Sequence, residues 1–222
     1  MFTVHRLAGA GAVLLLGLVA PVASGAAAEA DPQEQWPPPS THGQFRALPA
    51  ALSEPVTLPA CGSEVTRSIG DVDTTQYRAL VTAEGDTVVE YRGGFTVDIT
   101  RASDGARLEE LALAESGFET YSADGKSVTY DWPGTWLVAP FDEVEAAAFA
   151  EAGLPEAFVY LSGRLTETVT FASAPQPGEE FPPVTSVQIT ENSTEYVFDL
   201  CDLLDQAAQD TTEEATSATT AP

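Results

Sequence analysis

Few side chains of this protein belong to the types that usually perform chemistry, and the two cysteines are among them. The chain has two, Cys61 and Cys201, near the two ends of the region whose pattern predicts folded structure. A reactive thiol needs a neighbouring cation or histidine, whereas aspartates at 199 and 202 flank Cys201. We therefore predict one structural disulfide, which would stabilise the fold by roughly 4 to 5 kcal/mol on the chain-entropy model.

Histidine and lysine chemistry is almost missing from the predicted domain. His5 lies in the basic start ahead of the N-terminal apolar run, and His42 lies in a proline-rich stretch. A serine-hydrolase triad, a cysteine–histidine dyad and an HExxH zinc site are therefore not expected, unless His42 folds back onto the domain. Lys126, the single lysine, follows Asp124-Gly125 in a predicted turn. A Schiff-base or general-base lysine requires burial, so neither role is expected of Lys126.

Carboxylates remain, because the chain contains 34 acidic residues. A glycosidase needs two facing acids roughly 5 to 10 Å apart, one of them with a raised pKa. Asp131 is the strongest candidate, since Tyr130, Trp132 and Trp136 surround it, and aromatic rings both raise a carboxyl pKa and stack on sugars. Two alternatives stay open: the same residues bind a glycan without catalysis, or Tyr130 and one tryptophan are ordinary core residues.

Calcium is the one metal that the sequence leaves open. Asp71 and Asp73 alternate with Val72 after Gly70 and supply the oxygen ligands that a hard cation prefers. They form only a fragment of a calcium loop, because no EF-hand spacing surrounds them. No other cofactor is expected.

The N-terminus predicts export. His5 and Arg6 precede an apolar run over residues 7–22, and small residues follow as far as Ala30, so residues 1–30 are predicted to be a signal peptide. We expect a secreted protein, extracellular or loosely associated with the cell wall. The excess of arginine over lysine and the alanine-rich filler suggest a GC-rich bacterial source.

Charge limits the partners. The formal net charge of −25 repels phosphate backbones and anionic membrane surfaces, so nucleic acid is excluded as a partner, whereas calcium or a cationic partner is compatible with it. No transmembrane segment is expected in the mature chain, since no second long apolar run occurs. We predict a proline-rich linker over 31–51, one domain over 52–206 and a disordered Ala/Thr/Glu tail over 207–222.

Short alternating runs divided by turn signals predict a mainly β fold, an antiparallel sandwich or open barrel of about 8–10 strands. Hairpin turns are predicted at 84–86, 104–105, 124–125, 162–163 and 191–194, and a bulge or corner at 93–94. This pattern resembles that of immunoglobulin-like sandwiches, although the two cysteines are about twice as far apart here.

One short helix is predicted over about 142–152, capping an edge or end of the sandwich. Asp142 and Glu145 predict a capping box at its start. Val144, Ala147, Ala148 and Ala152 are the predicted packing face.

These observations favour a secreted, non-enzymatic, monomeric β-rich domain that binds an extracellular protein or a glycan. The alternative is a carbohydrate-active enzyme of the glycoside-hydrolase type that uses carboxylates near Asp131. An interaction protein should expose an apolar or aromatic patch, whereas a glycosidase needs a groove with two facing carboxylates.

Overall fold

The computed structural model describes residues 40–48, 53–113, 116–140, 142–176 and 182–219, without the side chains of 160 and 211–219. Its strands, numbered along the chain, pair antiparallel in three sheets. The large sheet has the order β1 (Arg46–Ala47), β4 (Gln76–Val81), β5 (Thr87–Arg92), β8 (Ser116–Tyr121), β9 (Ser127–Pro133), β12 (Arg164–Phe171) and β13 (Val184–Asn192).

The second sheet has four strands in the order β2 (Val56–Ala60), β3 (Ser63–Asp73), β6 (Phe95–Arg101) and β7 (Arg107–Leu113). The small sheet has three, in the order β10 (Trp136–Val138), β11 (Phe158–Tyr160) and β14 (Val197–Asp199). The mainly β, antiparallel prediction is confirmed. The additional strands are β1, β2, β3 and β10. Of these, β1 and β10 have only two and three residues, and β3 is largely polar.

Neighbouring strands of the large sheet follow one another in chain order, and the chain leaves this sheet three times before β13, through β2–β3, β6–β7 and β10–β11. Tight turns at 84–86 and 124–125 join β4 to β5 and β8 to β9, and the turn at 104–105 joins β6 to β7, as predicted. Gly93-Gly94 forms the predicted corner, because the chain passes there from β5 in the large sheet to β6 in the four-stranded sheet. The third departure runs from the end of β9 to the start of β12 and contains β10 and β11.

Two predicted hairpins are wrong. The turn at 162–163 joins β11 to β12, but β11 pairs with β10 and β14, whereas β12 pairs with β9 and β13. The turn at 191–194 likewise separates β13 in the large sheet from β14 in the small sheet. In both places a local turn signal marks a change of sheet, since strands distant in sequence offer the better-matched apolar faces.

A disulfide between Cys61 and Cys201 joins the four-stranded sheet to the C-terminal helix, with their Cα atoms 5.1 Å apart, as predicted. Cys61 and Gly62 form the two-residue turn between β2 and β3, and both have positive φ (54° and 67°). The bond therefore ties a hairpin tip to the second residue after the small sheet's last strand.

Helix α1 (Glu143–Glu151) lies against β13, an edge strand of the large sheet. Asp142 caps it by accepting hydrogen bonds from the backbone N–H groups of Val144 and Glu145, at 2.9 and 3.2 Å. The predicted packing face is wrong at Val144 and Ala147, which are exposed, whereas Ala152 packs against the core. The buried residues of the helix are Glu145 and Phe149. Phe149 is the helix's only large aromatic side chain, and its burial brings Glu145, one turn earlier, to the same face.

Helix α2 (Leu200–Thr219) begins within the predicted domain and extends into the predicted tail. Leu200 and Leu204 are buried, and Ala208 packs at the margin of the core. The polar segment after Ala208 is helical through Thr219. Disorder of residues 207–222 in solution stays a prediction. At the other end, the domain begins before residue 52, since Thr41 is buried on Ala79 and β1 pairs with β4, so part of the predicted linker belongs to the fold.

Gly117 on β8 offers a test of this core. A Cβ there would lie 2.6 Å from Trp132 Cε3 and 2.8 Å from Trp136 Cζ2. Gly117→Ala should therefore lower the free energy of unfolding by about 1 to 3 kcal/mol, measured by urea denaturation. Thr120→Ala, on the opposite face of β8, is the control and should change it far less. Equal effects of the two variants would contradict this account of the core.

Candidate functional site

The aromatic segment singled out in the sequence is part of the interior. Strand β9 alternates, so Tyr130 and Trp132 point inward, and both are buried. Trp136, which opens β10, is buried as well, with its ring centroid 4.0 Å from that of Trp132. Its indole Nε1 donates to the Pro133 carbonyl at 2.8 Å. These rings agree with the core-residue interpretation and do not form a platform on which a sugar could stack.

Asp131 points to the opposite face of β9, toward solvent. Both carboxylate oxygens accept hydrogen bonds from the guanidinium of Arg164 on β12, and Thr166 donates to Oδ1 at 3.3 Å. The aromatic residues and Asp131 are therefore divided between the two faces of one strand. The glycan or catalytic role predicted for Tyr130, Asp131, Trp132 and Trp136 as one constellation is not supported by this arrangement.

Asp71 and Asp73 lie where the pairing of β3 with β6 becomes irregular. The Asp71 backbone N–H donates to Glu110 Oε1 at 2.8 Å, and Asp73 Oδ1 accepts from the Thr75 backbone N–H at 3.0 Å. Within the described ranges, no group of three His, Cys, Asp or Glu residues is arranged to hold a metal ion. The calcium site at Asp71 and Asp73 stays a prediction that rests on these two carboxylates.

Three buried glutamates form the least expected feature of the interior. The strand register places Glu119 on β8 and Glu167 on β12 directly beside Tyr130 on β9, one on each side. Their backbones are two strand spacings apart, roughly 10 Å. Glu145 reaches the same region from α1, since the charges of all three carboxyls contribute to raising the pKa of Tyr130. This buried acid cluster lies on the inner face of the large sheet.

Burial raises the pKa of Glu119 from its ordinary 4.5 to about 7. The Tyr121 hydroxyl donates to Glu119 Oε2 at 2.6 Å, which partly opposes the shift by stabilising the charged form. The Tyr91 hydroxyl lies beside the same carboxyl without a hydrogen bond of ordinary geometry. Glu119 is therefore largely protonated in the folded protein below neutral pH.

Glu167 and Glu145 form a carboxyl pair. Burial raises the pKa of Glu167, and its contact with Glu145 is a side-chain hydrogen bond, which requires a proton on one of the two groups. Both Oε atoms of Glu167 lack any other partner among the residues that the structure describes. The pair thus holds at least one proton as long as it stays buried.

The acid cluster could have been found in the sequence. Glu167 alternates with Leu165, Val169 and Phe171, so it occupies an inward position of an otherwise apolar strand face. Glu119 occupies the corresponding place on β8, whereas Glu145 carried only the signal of a helix cap. The carboxyls can exchange protons as the pH changes, but they are enclosed, so a substrate has no direct contact with them in this conformation.

The inner face of the four-stranded sheet carries two buried arginines with different surroundings. Arg101 Nη1 lies 2.6 Å from Asp205 Oδ1, and Arg101 Nη2 lies 2.6 Å from Asp104 Oδ2. Arg67, on β3, has no ion pair within the described part of the chain, and its Nη2 is buried without a hydrogen-bond partner. Burial lowers the pKa of Arg67. Among the described residues, Arg67 therefore carries a buried charge without an ion pair.

At the surface, the outer face of the small sheet is apolar. Leu137, Val159 and Phe198 are paired in one row across its three strands, and Leu161 follows opposite Tyr196, whose carbonyl accepts from the Leu161 N–H at 3.1 Å. The exposed fractions are 51% for Leu161, 60% for Tyr196 and 41% for Phe198. We name these five residues the small-sheet patch.

The opposite side of the same strands explains why this face is outward. Trp136, Val138 and Phe158 are buried and lie on the inner face, against the core. Because side chains alternate along a strand, burial of these three turns Leu137 and Val159 to the other side. Val159 remains buried among its neighbours, and exposure is greatest at the edge strand β14.

Comparison of the chain with protein-family models, with curated proteins and with solved structures found no match. No helix in the described part of the chain is long and apolar enough to cross a membrane. The predicted signal peptide at 1–30 lies outside the described residues.

The acid cluster predicts an unusual dependence of stability on pH. In the unfolded chain Glu119 ionises near 4.5, whereas in the folded protein its pKa is about 7. Its protonated form therefore stabilises the fold fully below pH 4.5, and this stabilisation, about 3 kcal/mol, is lost as the pH rises through about 7. We expect the urea concentration at the midpoint of unfolding to decrease as the pH rises from about 5 to about 8.

The surface carboxylates Asp98, Asp104 and Asp124 act in the opposite direction. Hydrogen bonds lower their pKa values below 3.8, so their stabilisation is lost as the pH falls through those lowered values. Maximal stability should lie at mildly acidic pH, between these two ranges.

Glu167→Gln tests the contribution of the carboxyl pair, because the amide keeps the shape of the side chain but does not titrate. At about pH 8 its free energy of unfolding should exceed that of the native protein by about 1 to 3 kcal/mol, and at about pH 5 the two should be close. Glu64→Gln, at an exposed position of β3, should follow the native protein at every pH. A native-like pH profile for Glu167→Gln would contradict the proposed protonation.

A second pair of variants tests the arginines. Arg67→Met should raise the free energy of unfolding by about 1 kcal/mol, because it replaces an unpaired buried charge with an apolar chain of similar length. Arg101→Met should lower it by roughly 2 kcal/mol, since its carboxylate partners lose their cation. Chemical denaturation at one pH measures both, and a loss of stability in Arg67→Met would show that this guanidinium has a partner.

Proposed function

We propose that this protein is a secreted, non-enzymatic β-rich domain that binds a partner outside the cell through the small-sheet patch. The observation that carries the proposal is the exposure of Leu161, Tyr196 and Phe198 together on one sheet face. Contiguous apolar surface is uncommon on monomeric soluble proteins and usually marks an interaction site. Tyrosine and phenylalanine are also among the residues that interfaces favour.

The patch is supported by a rigid frame. Cys201 follows β14 by two residues, and its disulfide holds that end of the small sheet to the β2–β3 turn. Buried Trp136 and Phe158 hold the other face of the sheet. A preorganised surface binds with less loss of side-chain and loop entropy, which favours a role in recognition. A disulfide is also the kind of cross-link that persists in exported proteins, in agreement with the predicted signal peptide.

An extracellular protein and a glycan are both compatible with an aromatic patch. A second copy of this chain is less so, because a net charge of −25 opposes self-association, and we propose a monomer. The glycoside-hydrolase alternative has weaker support. Arg164 neutralises Asp131, and the three carboxyls of the acid cluster are enclosed.

The proposed function predicts that the patch carries binding to material from the exterior of the source cells. The double variant Tyr196→Ser/Phe198→Ser should lose most of the binding of the native mature protein to isolated envelope and culture-medium fractions, measured by quantitative co-sedimentation and pull-down. The loss should be about tenfold or more, because central aromatic residues dominate interface energy.

The matched control is Val72→Ser/Val81→Ser, which removes two exposed apolar residues from other strands. It should bind like the native protein. All three proteins must share the same circular dichroism spectrum and melting temperature. Equal binding by the native protein and the patch variant would overturn the proposed function.

A further inference from the structure

The charge around the small-sheet patch is strongly one-sided. From residue 127 to residue 222 the chain contains 17 acidic residues and a single basic one, Arg164. Arg164 is engaged with Asp131 and with Glu191, whose Oε2 lies 3.9 Å from Arg164 Nε. The half of the chain that builds the small sheet therefore has no unpaired cation among its described residues.

Acidic residues stand beside the patch itself. Glu195 precedes the exposed Tyr196, and Asp202 lies in the first turn of α2. Asp199 is paired with the buried Phe158 on the other face, where its Oδ1 accepts from the Cys201 backbone N–H at 2.8 Å. Glu195 is exposed and accepts a 3.2 Å hydrogen bond from the Ser162 hydroxyl, and Asp202 is exposed as well. An apolar centre within an acidic surround combines a surface that excludes water with a field that attracts cations.

We propose that the partner of the small-sheet patch is a basic polypeptide segment, in which apolar side chains cover Leu161, Tyr196 and Phe198 while lysines or arginines face Glu195 and Asp202. This inference rests on the proposed function and specifies the chemistry of the partner. Arginine and lysine side chains also bind over aromatic rings, so Tyr196 and Phe198 can contact both parts of such a segment. The same field disfavours a second copy of this acidic chain and an anionic membrane or polysaccharide.

The test uses the full mature chain with its disulfide intact and three fluorescent synthetic peptides of equal length. One alternates lysine with leucine, one lysine with serine, and one glutamate with leucine. Fluorescence anisotropy should show that the native protein and the Val72→Ser/Val81→Ser control bind the lysine–leucine peptide at least about tenfold more tightly than the Tyr196→Ser/Phe198→Ser variant does. The lysine–serine and glutamate–leucine peptides should each bind the native protein at least about tenfold more weakly than the lysine–leucine peptide does.

Salt and charge variants separate the two parts of the surface. Raising the salt concentration from about 0.1 M to about 1 M shortens the Debye length from roughly 10 Å to roughly 3 Å, so binding of the lysine–leucine peptide should weaken severalfold. Glu195→Gln/Asp202→Asn should weaken it by a similar factor. Glu64→Gln/Glu84→Gln removes the same charge from exposed positions in the other half of the chain and should have little effect.

Several outcomes would overturn the inference. Equal binding of the lysine–leucine peptide by all protein variants would show diffuse attraction to an acidic surface rather than docking at the patch. Equal binding of the lysine–serine peptide would remove the apolar contribution, and equal binding of the glutamate–leucine peptide would remove the electrostatic one. Patch-dependent self-association in analytical ultracentrifugation would make a second copy the occupant.

Failure of this inference and failure of the proposed function are distinguishable. Patch-dependent binding of a neutral soluble polysaccharide, with no preference for the basic peptide, would replace the polypeptide partner with a glycan and leave the proposed function standing. If the patch variant binds every peptide, polysaccharide and envelope fraction as the native protein does, both proposals fail together.

Discussion

The contact between Trp132 and Trp136 joins the large sheet to the small sheet. Trp132 is the last inward residue of β9 and Trp136 is the first residue of β10, so their rings, 4.0 Å apart, link the large sheet to the small one. Gly117 makes room for both, since a side chain there would overlap each ring. With Trp136 inward, the alternation of β10 places Leu137 outward. The orientation of the small-sheet patch therefore follows from the packing of two tryptophans inside the core.

The disulfide constrains the same region from the other end of the chain. Leu200 and Leu204 bury the start of α2, and the bond between Cys61 and Cys201 fixes that start to the β2–β3 turn. Strand β14 lies immediately before these residues and pairs on one side only, with β11. An edge strand of three residues would gain little from its own pairing. The covalent bond and the buried leucines hold it in place, and they keep Tyr196 and Phe198 at the surface.

Acidic residues have two opposite roles in this protein. At the surface their charge repels copies and anionic partners and attracts cations. In the interior, Glu119, Glu145 and Glu167 lie where a charge is poorly solvated, and burial raises the pKa of Glu119 to about 7. Protonation reconciles a carboxyl with an apolar core, because a neutral acid can donate a hydrogen bond to its neighbour. The fold thus depends on protonated carboxyls inside and ionised carboxyls outside.

The sequence by itself determined the local structure of this protein. Alternation, Asp-Gly turns and the Asp142 cap identify the antiparallel hairpins and α1, and the scarcity of cations near the cysteines predicts the disulfide, because these signals depend on neighbouring residues. Only the tertiary structure decided which strands pair across long distances and which face of α1 is buried through Phe149. It also decided that Trp132 and Trp136 contact each other in the core, where neither ring can stack on a sugar. It also decided where Tyr196 and Phe198 meet Leu161. Such contacts join residues that lie far apart in the chain, and their energy comes from the fit of whole apolar faces, which no short stretch of sequence specifies.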